Sequence, residues 1–214
     1  PPTPSVPHFC PTQDRSWVTG AVRGASGAAY GLRLIQRLAA AGISQHILLS
    51  DAARVVLKQE TDVELSVQNE TGATQLAEHL GINASLIRCY DLNDWFSPTA
   101  SGSAGIKQMV VVPCSMGTLA RIAAGISDNL IERSADVILK EKRQLILVPR
   151  ETPLSAIHLE NMLKLARMGV EIMPAMPAFY HRPQSLDEII DFLVDRLLDH
   201  LNIENPDAKK WGVS

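Results

Sequence analysis

Residues 143–162, RQLILVPRETPLSAIHLENM, constrain the fold of this chain more than any other stretch. The run at 144–148 is short, apolar and rich in branched side chains, which predicts a strand buried on both faces of a parallel sheet. Pro149 ends the run, and apolar residues recur at helical spacing after Ser155, whose side chain suits a helix N-cap. A buried strand that leads directly into a helix is the repeating unit of an open α/β fold.

The same unit recurs along the chain. Gly20 weakens the first candidate strand, and a final amphipathic helix is predicted for 187–201, with Ser185 as its cap. From six candidate runs we expect five strands that alternate with helices, which gives a doubly wound parallel sheet in a single α/β domain. The other candidate runs lie at 17–22, 45–49, 85–89, 109–112 and 170–173.

Length and charge exclude several classes of protein. With 214 residues, of which 46% are hydrophobic and 20% charged, one domain with a real core is expected. A net charge of −3 gives no reason to expect nucleic acid or an anionic membrane as a partner. Apolar runs stay well below the ~18 residues that span a bilayer, so we expect no membrane partner.

The cysteines argue against a disulfide framework or a metal site. There are three, Cys10, Cys89 and Cys114, and none belongs to a Cys-x-x-Cys pair. That pattern indicates a reducing compartment and a cytoplasmic location, and no histidine spacing suggests metal ligands. Residues 1–16 contain five of the thirteen prolines and predict an irregular N-terminal arm before a domain at 17–214.

Two predicted strand-to-helix corners are rich in small and hydroxyl residues. Residues 23–27, RGASG, precede a predicted helix at 28–41, and residues 113–118, PCSMGT, follow another strand. Glycines allow close backbone approach and a helix start attracts anions, so both corners are candidate phosphate cradles. The first is neither Gly-x-Gly-x-x-Gly nor Gly-x-Ser-x-Gly, and a plain N-cap is the alternative for Ser26.

Charged side chains follow predicted elements at two further places. Arg150 and Glu151 stand where the strand at 144–148 ends, the edge at which open α/β sheets bind ligands. Packing alone hardly explains such a pair, and the alternative is a solvated turn. Glu60 closes the second helix, where a solvated helix end is the alternative.

One helix face and one long loop complete the candidates. Arg133, Asp136 and Lys140 fall on one helix face, which indicates either a phosphate contact or a solvated stripe. The loop at 91–105 is long enough to suggest a function. Trp95 in this loop suits a rigid wall over a flat ligand, with ordinary loop packing as the alternative.

Several short motifs follow one another in a fixed order and spacing between about residue 18 and residue 212. They are Gly24-Ala25-Ser26-Gly27-x-x-Tyr30-Gly31, Glu60-Thr61-Asp62, Asn93-Asp94-Trp95, Pro113-Cys114-Ser115-x-Gly117-Thr118-Leu119, Leu130-x-x-Arg133-x-x-Asp136-Val137-x-x-Lys140-Glu141, Pro149-Arg150-Glu151-Thr152-Pro153 and Pro177-x-Phe179-Tyr180. Together they resemble the UbiX-type flavin prenyltransferases. The resemblance favours site roles for Ser26, Glu60, Trp95, Arg133 and Lys140 over the alternatives above.

The resemblance implies a fold, a reaction and an assembly. The fold is a flavodoxin-like Rossmann fold, and the assembly is a dodecamer with sites at subunit junctions. The substrates are reduced FMN and dimethylallyl phosphate, which are joined at flavin N5 and C6 without a metal. The product, prenylated FMN, serves UbiD-type decarboxylases.

The resemblance also implies roles for individual residues. FMN would contact Gly24, Ala25, Ser26, Ser50, Ser115, Met116, Gly117, Thr118 and Arg150. Catalysis would involve Ser26, Glu60, Arg133, Lys140 and Glu151, and the prenyl substrate would meet Trp95, Lys140, Tyr180, Arg196 and Trp211. These residue types suit the chemistry, since cations and a phenol neutralise a leaving phosphate and a carboxylate transfers a proton.

One position departs from the family pattern. Arg23 stands where family members usually carry a small or hydroxyl residue before Gly-Ala-Ser-Gly. The arginine either disturbs packing under the flavin loop or adds a cation near the flavin phosphate, and the sequence leaves both open.

Two other functions compete. An FMN-dependent cysteine decarboxylase of the same fold would usually show a histidine after the second helix and a Pro-x-Ala/Met-Asn-x-x-Met motif, which this chain lacks. A non-catalytic flavin carrier would not need Lys140, Glu151, Tyr180 and Arg196 together. The sequence does not decide between dimethylallyl phosphate and the pyrophosphate, nor which decarboxylase uses the product.

Overall fold

Six parallel strands form one sheet in the order β3-β2-β1-β4-β5-β6. The doubly wound α/β sheet is confirmed, but the count of five strands was wrong, since all six candidate runs pair. The run at 170–173 pairs over only two residues. The strands are β1 Trp17–Val22, β2 Ser44–Leu49, β3 Ile87–Tyr90, β4 Gln108–Cys114, β5 Gln144–Pro149 and β6 Glu171–Ile172.

The computed structural model describes residues 17–22, 26–61, 64–66 and 69–205. The predicted arm at 1–16 and five residues named above, Arg23, Gly24, Ala25, Asp62 and Trp211, lie outside the described residues. Within the described ranges, no helix has both the length and the apolar character needed to cross a membrane.

In the described part of the chain, seven helices cover the two faces of the sheet. Alternate strand residues face opposite layers, so Val110 packs with α1 and α7 while Met109 and Val111 pack with α4, α5 and α6. Helices α2 and α3 cover the β2–β3 side of the first face. The helices are α1 Ala28–Ala40, α2 Asp51–Thr61, α3 Asn69–Leu80, α4 Met116–Ala123, α5 Leu130–Lys140, α6 Ala156–Arg167 and α7 Leu186–His200.

Side-chain caps set several helix boundaries. Ser155 caps α6 in a capping box with His158, and Ser185 caps α7 through the N–H of Glu188, as their positions predicted. Helix α4 begins at Met116, because Ser115 accepts from the Thr118 N–H at the start of the helix. Helix α3 begins at Asn69.

Glutamine side chains fasten the end of α7 to the amino edge of the sheet. Gln144, the first residue of β5, donates to the carbonyl of His200 at 2.8 Å. Gln108, the first residue of β4, donates to the carbonyl of Leu201 at 3.0 Å. Helix α7 therefore runs from the carboxyl edge of the sheet to the amino edge.

Helix α1 approaches β4 at Gly31 more closely than a side chain would permit. A Cβ atom on Gly31 would lie 2.8 Å from the carbonyl oxygen of Val112 and 3.2 Å from Val22 Cγ2. Backbone cannot withdraw from such a contact cheaply, so glycine is required here.

Candidate functional site

The carboxyl edge of the sheet brings together four predicted site segments. Ser26 follows β1, Ser50 follows β2, the segment at 115–118 follows β4, and Arg150 with Glu151 follows β5. Strands β1 and β4 are neighbours at the point where the strand order reverses, and ligands of open α/β sheets bind at that crevice. The segments are linked directly, since the Ser50 N–H donates to the carbonyl of Val22 and the Arg150 N–H to that of Cys114.

The first corner is held by a side chain from another helix. Gly27 is the N-cap of α1, with a left-handed φ of 105° and no side chain to cap the helix. The Glu60 carboxylate at the end of α2 accepts instead from the N–H groups of Gly27, at 3.1 Å, and Ala28, at 2.9 Å. The cap alternative for Ser26 was therefore wrong, and Glu60 is more than a solvated helix end. Ser26 itself is exposed beside this corner.

The second corner is ordered from within. The Ser115 hydroxyl lies 3.0 Å from that of Thr118 and accepts from the Thr118 N–H at 3.3 Å. Thr118 and Met116 are buried, while a Cβ on Gly117 would meet nothing within 4 Å. The backbone at Gly117 is thus open to a ligand, as an anion cradle requires. Ser50, also buried, accepts from the Ala53 N–H at 3.0 Å and caps α2.

Arg150 offers an unmet hydrogen bond beside this cradle. Its Nε is buried and has no hydrogen-bond partner among the described residues. A buried donor without a partner is costly, so the guanidinium suits an incoming anion such as a phosphate. Glu151 next to it is exposed, and one of its oxygens accepts from the Thr152 N–H at 3.1 Å.

Arg133 joins α5 to the long loop. Its Nε donates to the carbonyl of Ala100 at 3.1 Å, and its Nη1 pairs with Asp136 at 3.2 Å. The loop is ordered by short helical turns at Pro98–Ala100 and Gly102–Ala104. Trp95 is 46% exposed and Phe96 is fully exposed, so their faces are available to a ligand or to another chain.

Lys140 lies at the opposite edge of the sheet from Glu151. It is the last residue of α5, and the chain enters the amino end of β5 four residues later. Its ammonium group pairs with Glu141 at 2.6 Å. The six residues of β5 span about 20 Å, so one chain does not bring Lys140 and Glu151 together.

Tyr180 contacts α7 about one turn before Arg196. Arg196 lies in the last two turns of α7, near the amino edge of the sheet, and pairs loosely with Asp199 at 3.8 Å. Tyr180 precedes the helix and contacts Phe192 in its second turn. Both predicted phosphate contacts are more than half exposed.

A cavity of about 410 Å³ opens among the ends of α4, α5 and α6. Its walls combine apolar residues, including Leu139 and Met168, with Lys140 and Lys164. Among the predicted site residues that the structure describes, only Lys140 belongs to its lining. Across the described ranges, no cluster of three histidine, cysteine, aspartate or glutamate side chains could hold a metal ion.

Sequence reasoning missed three features of the site. They are the bond from Glu60 to the start of α1, the unpartnered Nε of Arg150, and a ring contact between His181 and Phe192. Sequence spacing carries no signal for the first two. The aromatic residues at 179–181 were visible in the sequence, but their partner on α7 was not.

Comparisons with known proteins agree with the geometry. The Flavoprotein family model matches residues 12–198. The flavin prenyltransferase UbiX of Pseudomonas aeruginosa is 50% identical over 195 residues, which cover 91% of this chain and 93% of that protein.

Two solved structures extend the likeness. AnUbiX in complex with FMN and dimethylallyl pyrophosphate superposes with a TM-score of 0.83 at 38% identity, over 94% of this chain and 99% of that one. A dodecameric FMN-dependent UbiX-like decarboxylase from Escherichia coli O157:H7 gives 0.80 at 40% identity, over 92% and 100%. The chain belongs to the UbiX-type flavin prenyltransferases of the Flavoprotein family.

Proposed function

We propose that this protein joins the dimethylallyl group of dimethylallyl phosphate to N5 and C6 of reduced FMN, and that UbiD-type decarboxylases use the product. The observation that carries the proposal is the buried Nε of Arg150, which has no partner among the described residues and follows the same sheet edge as the open backbone of Gly117. A guanidinium and free N–H groups at one sheet edge suit a phosphate. Glu151, the next residue in the sequence, places a carboxylate at the same edge.

FMN would be held by residues of the carboxyl edge. Ser50, the cradle at 115–118 and Arg150 would bind it there, with Ser26 beside it and Gly24 and Ala25 before it. When bound, reduced FMN supplies the nucleophilic atoms of the reaction. Arg150 would orient its anionic part, and Ser115 with Thr118 would keep the cradle rigid.

The prenyl phosphate would be activated by charge. Arg196, Lys140 and the Tyr180 hydroxyl would neutralise the phosphate oxygens so that the group leaves readily. Glu151 would exchange a proton with the phosphate or the ring, with Ser26 and Glu60 helping to orient the reacting groups. Trp95 would flank the prenyl chain and Trp211 would close the site, which excludes water, while Arg133 would lie close to FMN.

The position of Lys140 supports a site shared between copies. Because Lys140 and Glu151 of one chain lie at opposite edges of the sheet, a site that uses both needs a second copy. The dodecameric relative from Escherichia coli provides a precedent for such an assembly, and we propose a homo-oligomer here. The absence of a metal requirement and the cytoplasmic location stay predictions.

The first test is anaerobic incubation of the protein with reduced FMN and either dimethylallyl phosphate or the pyrophosphate, followed by mass spectrometry of the released flavin. A flavin heavier by one five-carbon prenyl unit is expected, and the two donors reveal the preference. Glu151→Gln should retain FMN and lose turnover, while Glu78→Gln on the exposed face of α3 serves as the matched control.

Unmodified FMN that stays tightly bound in the wild-type protein would overturn the proposal. It would favour the flavin carrier or the cysteine decarboxylase, which a peptidyl-cysteine substrate would then distinguish.

A further inference from the structure

Three aromatic rings form a closed cluster between the segment before α7 and α7 itself. His181 stacks on Phe192 with centroids 5.3 Å apart and an interplanar angle of 12°. Tyr180 meets both edge-on, at 5.5 Å from His181 and 5.7 Å from Phe192. Each ring therefore touches the other two, and edge-to-face contacts of this kind fix ring orientation.

The backbone that carries Tyr180 and His181 is fastened at both ends of the turn. The Arg182 N–H donates to the carbonyl of Phe179 at 3.0 Å, which closes the turn. The Gln184 N–H donates to the Glu188 carboxylate at 3.2 Å, which ties the segment to the first turn of α7. The tyrosine ring itself packs in the ring cluster, which contributes to its direction.

The cluster also connects the two predicted phosphate contacts. Phe192 and Arg196 are four residues apart on α7 and share one helix face. The exposed phenol of Tyr180 thus packs against the ring that lies one turn before the exposed guanidinium of Arg196.

Burial without hydrogen bonds marks His181 as a packing residue. Both ring nitrogens, Nδ1 and Nε2, are buried and find no hydrogen-bond partner within the described part of the chain. An imidazole held this way contributes to packing through its flat ring. Its buried nitrogens lower the stability of the folded protein, because they lose hydrogen bonds to water.

We propose that His181 is a positioning residue, which by stacking on Phe192 orients Tyr180 so that its hydroxyl and Arg196 converge on the phosphate of the prenyl substrate. The role in substrate binding rests on the proposed function. The ring contact itself does not.

The substitution series separates ring shape from nitrogen chemistry. His181→Ala should raise the KM for dimethylallyl phosphate at least tenfold while FMN affinity stays unchanged, and His181→Phe should restore most of that loss and raise the melting temperature. Because His181 acts through Tyr180, adding His181→Ala to Tyr180→Phe should change KM little further. His79→Ala, on the exposed side of α3, is the control.

A spectroscopic measurement that does not depend on turnover distinguishes a failure of the His181 positioning role from a failure of the proposed function. The protein has three tyrosines, and all of them can be replaced by 3-fluorotyrosine. The 19F resonance that is lost in Tyr180→Phe is the resonance of Tyr180. It should shift in His181→Ala and remain near its original position in His181→Phe. An unchanged resonance in His181→Ala, or a KM for His181→Phe as high as that for His181→Ala, would overturn the positioning role. Absence of prenyl transfer by the wild-type protein would instead count against the proposed function.

Discussion

The side-chain carboxylate of Glu60 accepts a hydrogen bond of 2.9 Å from the backbone N–H of Ala28, thirty-two residues earlier in the chain. The N-cap of α1 is a glycine, so the cap that a serine or aspartate usually supplies locally comes here from the end of α2. The contact fixes the corner that carries Ser26 to a second helix.

Removal of this remote cap should loosen the start of α1. Glu60→Ala is expected to cost about 1 kcal/mol of stability, the usual value for a lost N-cap, and Glu60→Gln should cost less because its amide oxygen still accepts. Hydrogen exchange at residues 27–31 measures the effect. Equal protection in Glu60→Ala and in the wild type would contradict the capping role.

A shared site makes a quantitative prediction for mixed oligomers. Lys140→Ala and Glu151→Gln should each abolish turnover, and co-assembled chains in equal amounts should recover about one quarter of the wild-type rate, since each site then draws the two residues independently from different copies. Prenylated FMN formed per site is the measurement.

The control pairs two residues of the same sheet edge. Arg150→Ala mixed with Glu151→Gln should recover nothing, because both residues would come from one chain. Recovery in this control, or none in the Lys140 mixture, would refute the shared site.

His46 should make stability depend on pH. Its ring stacks on Trp17 at 4.3 Å and lies 5.4 Å from Tyr90. Burial, with a smaller contribution from Arg88, lowers the pKa of His46 from 6.5 to about 4. Between pH 6.5 and about 4, His46 binds a proton in the unfolded chain but not in the folded protein. The stability that is present above pH 6.5 is therefore lost as the pH falls to about 4.

The size of that loss is measurable. The displaced pKa corresponds to about 3 kcal/mol, and His46→Phe, which keeps an aromatic ring against Trp17, should remove this dependence. Urea unfolding at pH 7 and pH 4.5 gives the loss of unfolding free energy between these pH values for the wild type and for His46→Phe, and His79→Gln is the control variant. A loss in His46→Phe as large as that in the wild type would show that other groups cause the acid sensitivity.

The ion pair of Arg121 with Glu132 should be worth more than an exposed one. Glu132 is 1% exposed, and Arg121 donates to it at 2.6 Å. Burial opposes ionisation, but hydrogen bonds from Arg121 and from the Asp128 N–H lower the pKa of Glu132.

Arg121→Ala leaves that buried carboxylate short of a partner and should destabilise the protein clearly more than the loss of an exposed pair does. Lys58→Ala, which breaks an exposed pair with Glu64, should stay within about 0.5 kcal/mol. Chemical denaturation measures both. Similar losses in the two variants would show that the Arg121 pair is no stronger than a surface one.

Local patterns predicted most of the fold. Branched apolar runs such as 144–148 became strands, and Ser155 and Ser185 became caps, because both depend on neighbours within a few residues. Boundaries failed where a side chain beyond the apolar pattern decides them. The strand predicted at 109–112, for example, continues through Pro113 to Cys114, and Ser115 then caps α4.

The arrangement of the candidate site residues was only partly predictable from the sequence. Arg150 and Glu151 follow a strand, so their edge could be inferred from the sequence alone. The placement of Lys140 at the other edge depends on the direction of α5. The order of motifs along a sequence does not reveal which of their residues lie close together within one chain. The contact from Glu60 to Ala28 depends on how two helices pack.

The close approach at Gly31 determines which movements remain available to the protein. Helix α1 leads from the first corner and β4 leads to the second, and at Gly31 the two elements pack too closely for any side chain to fit between them. A hinge between these two walls of the crevice would have to separate this close packing. Ligand entry and exit therefore depend on parts outside it, such as the loop at 91–105 or an adjoining copy, and a selection for faster product release should find its mutations there and never at position 31.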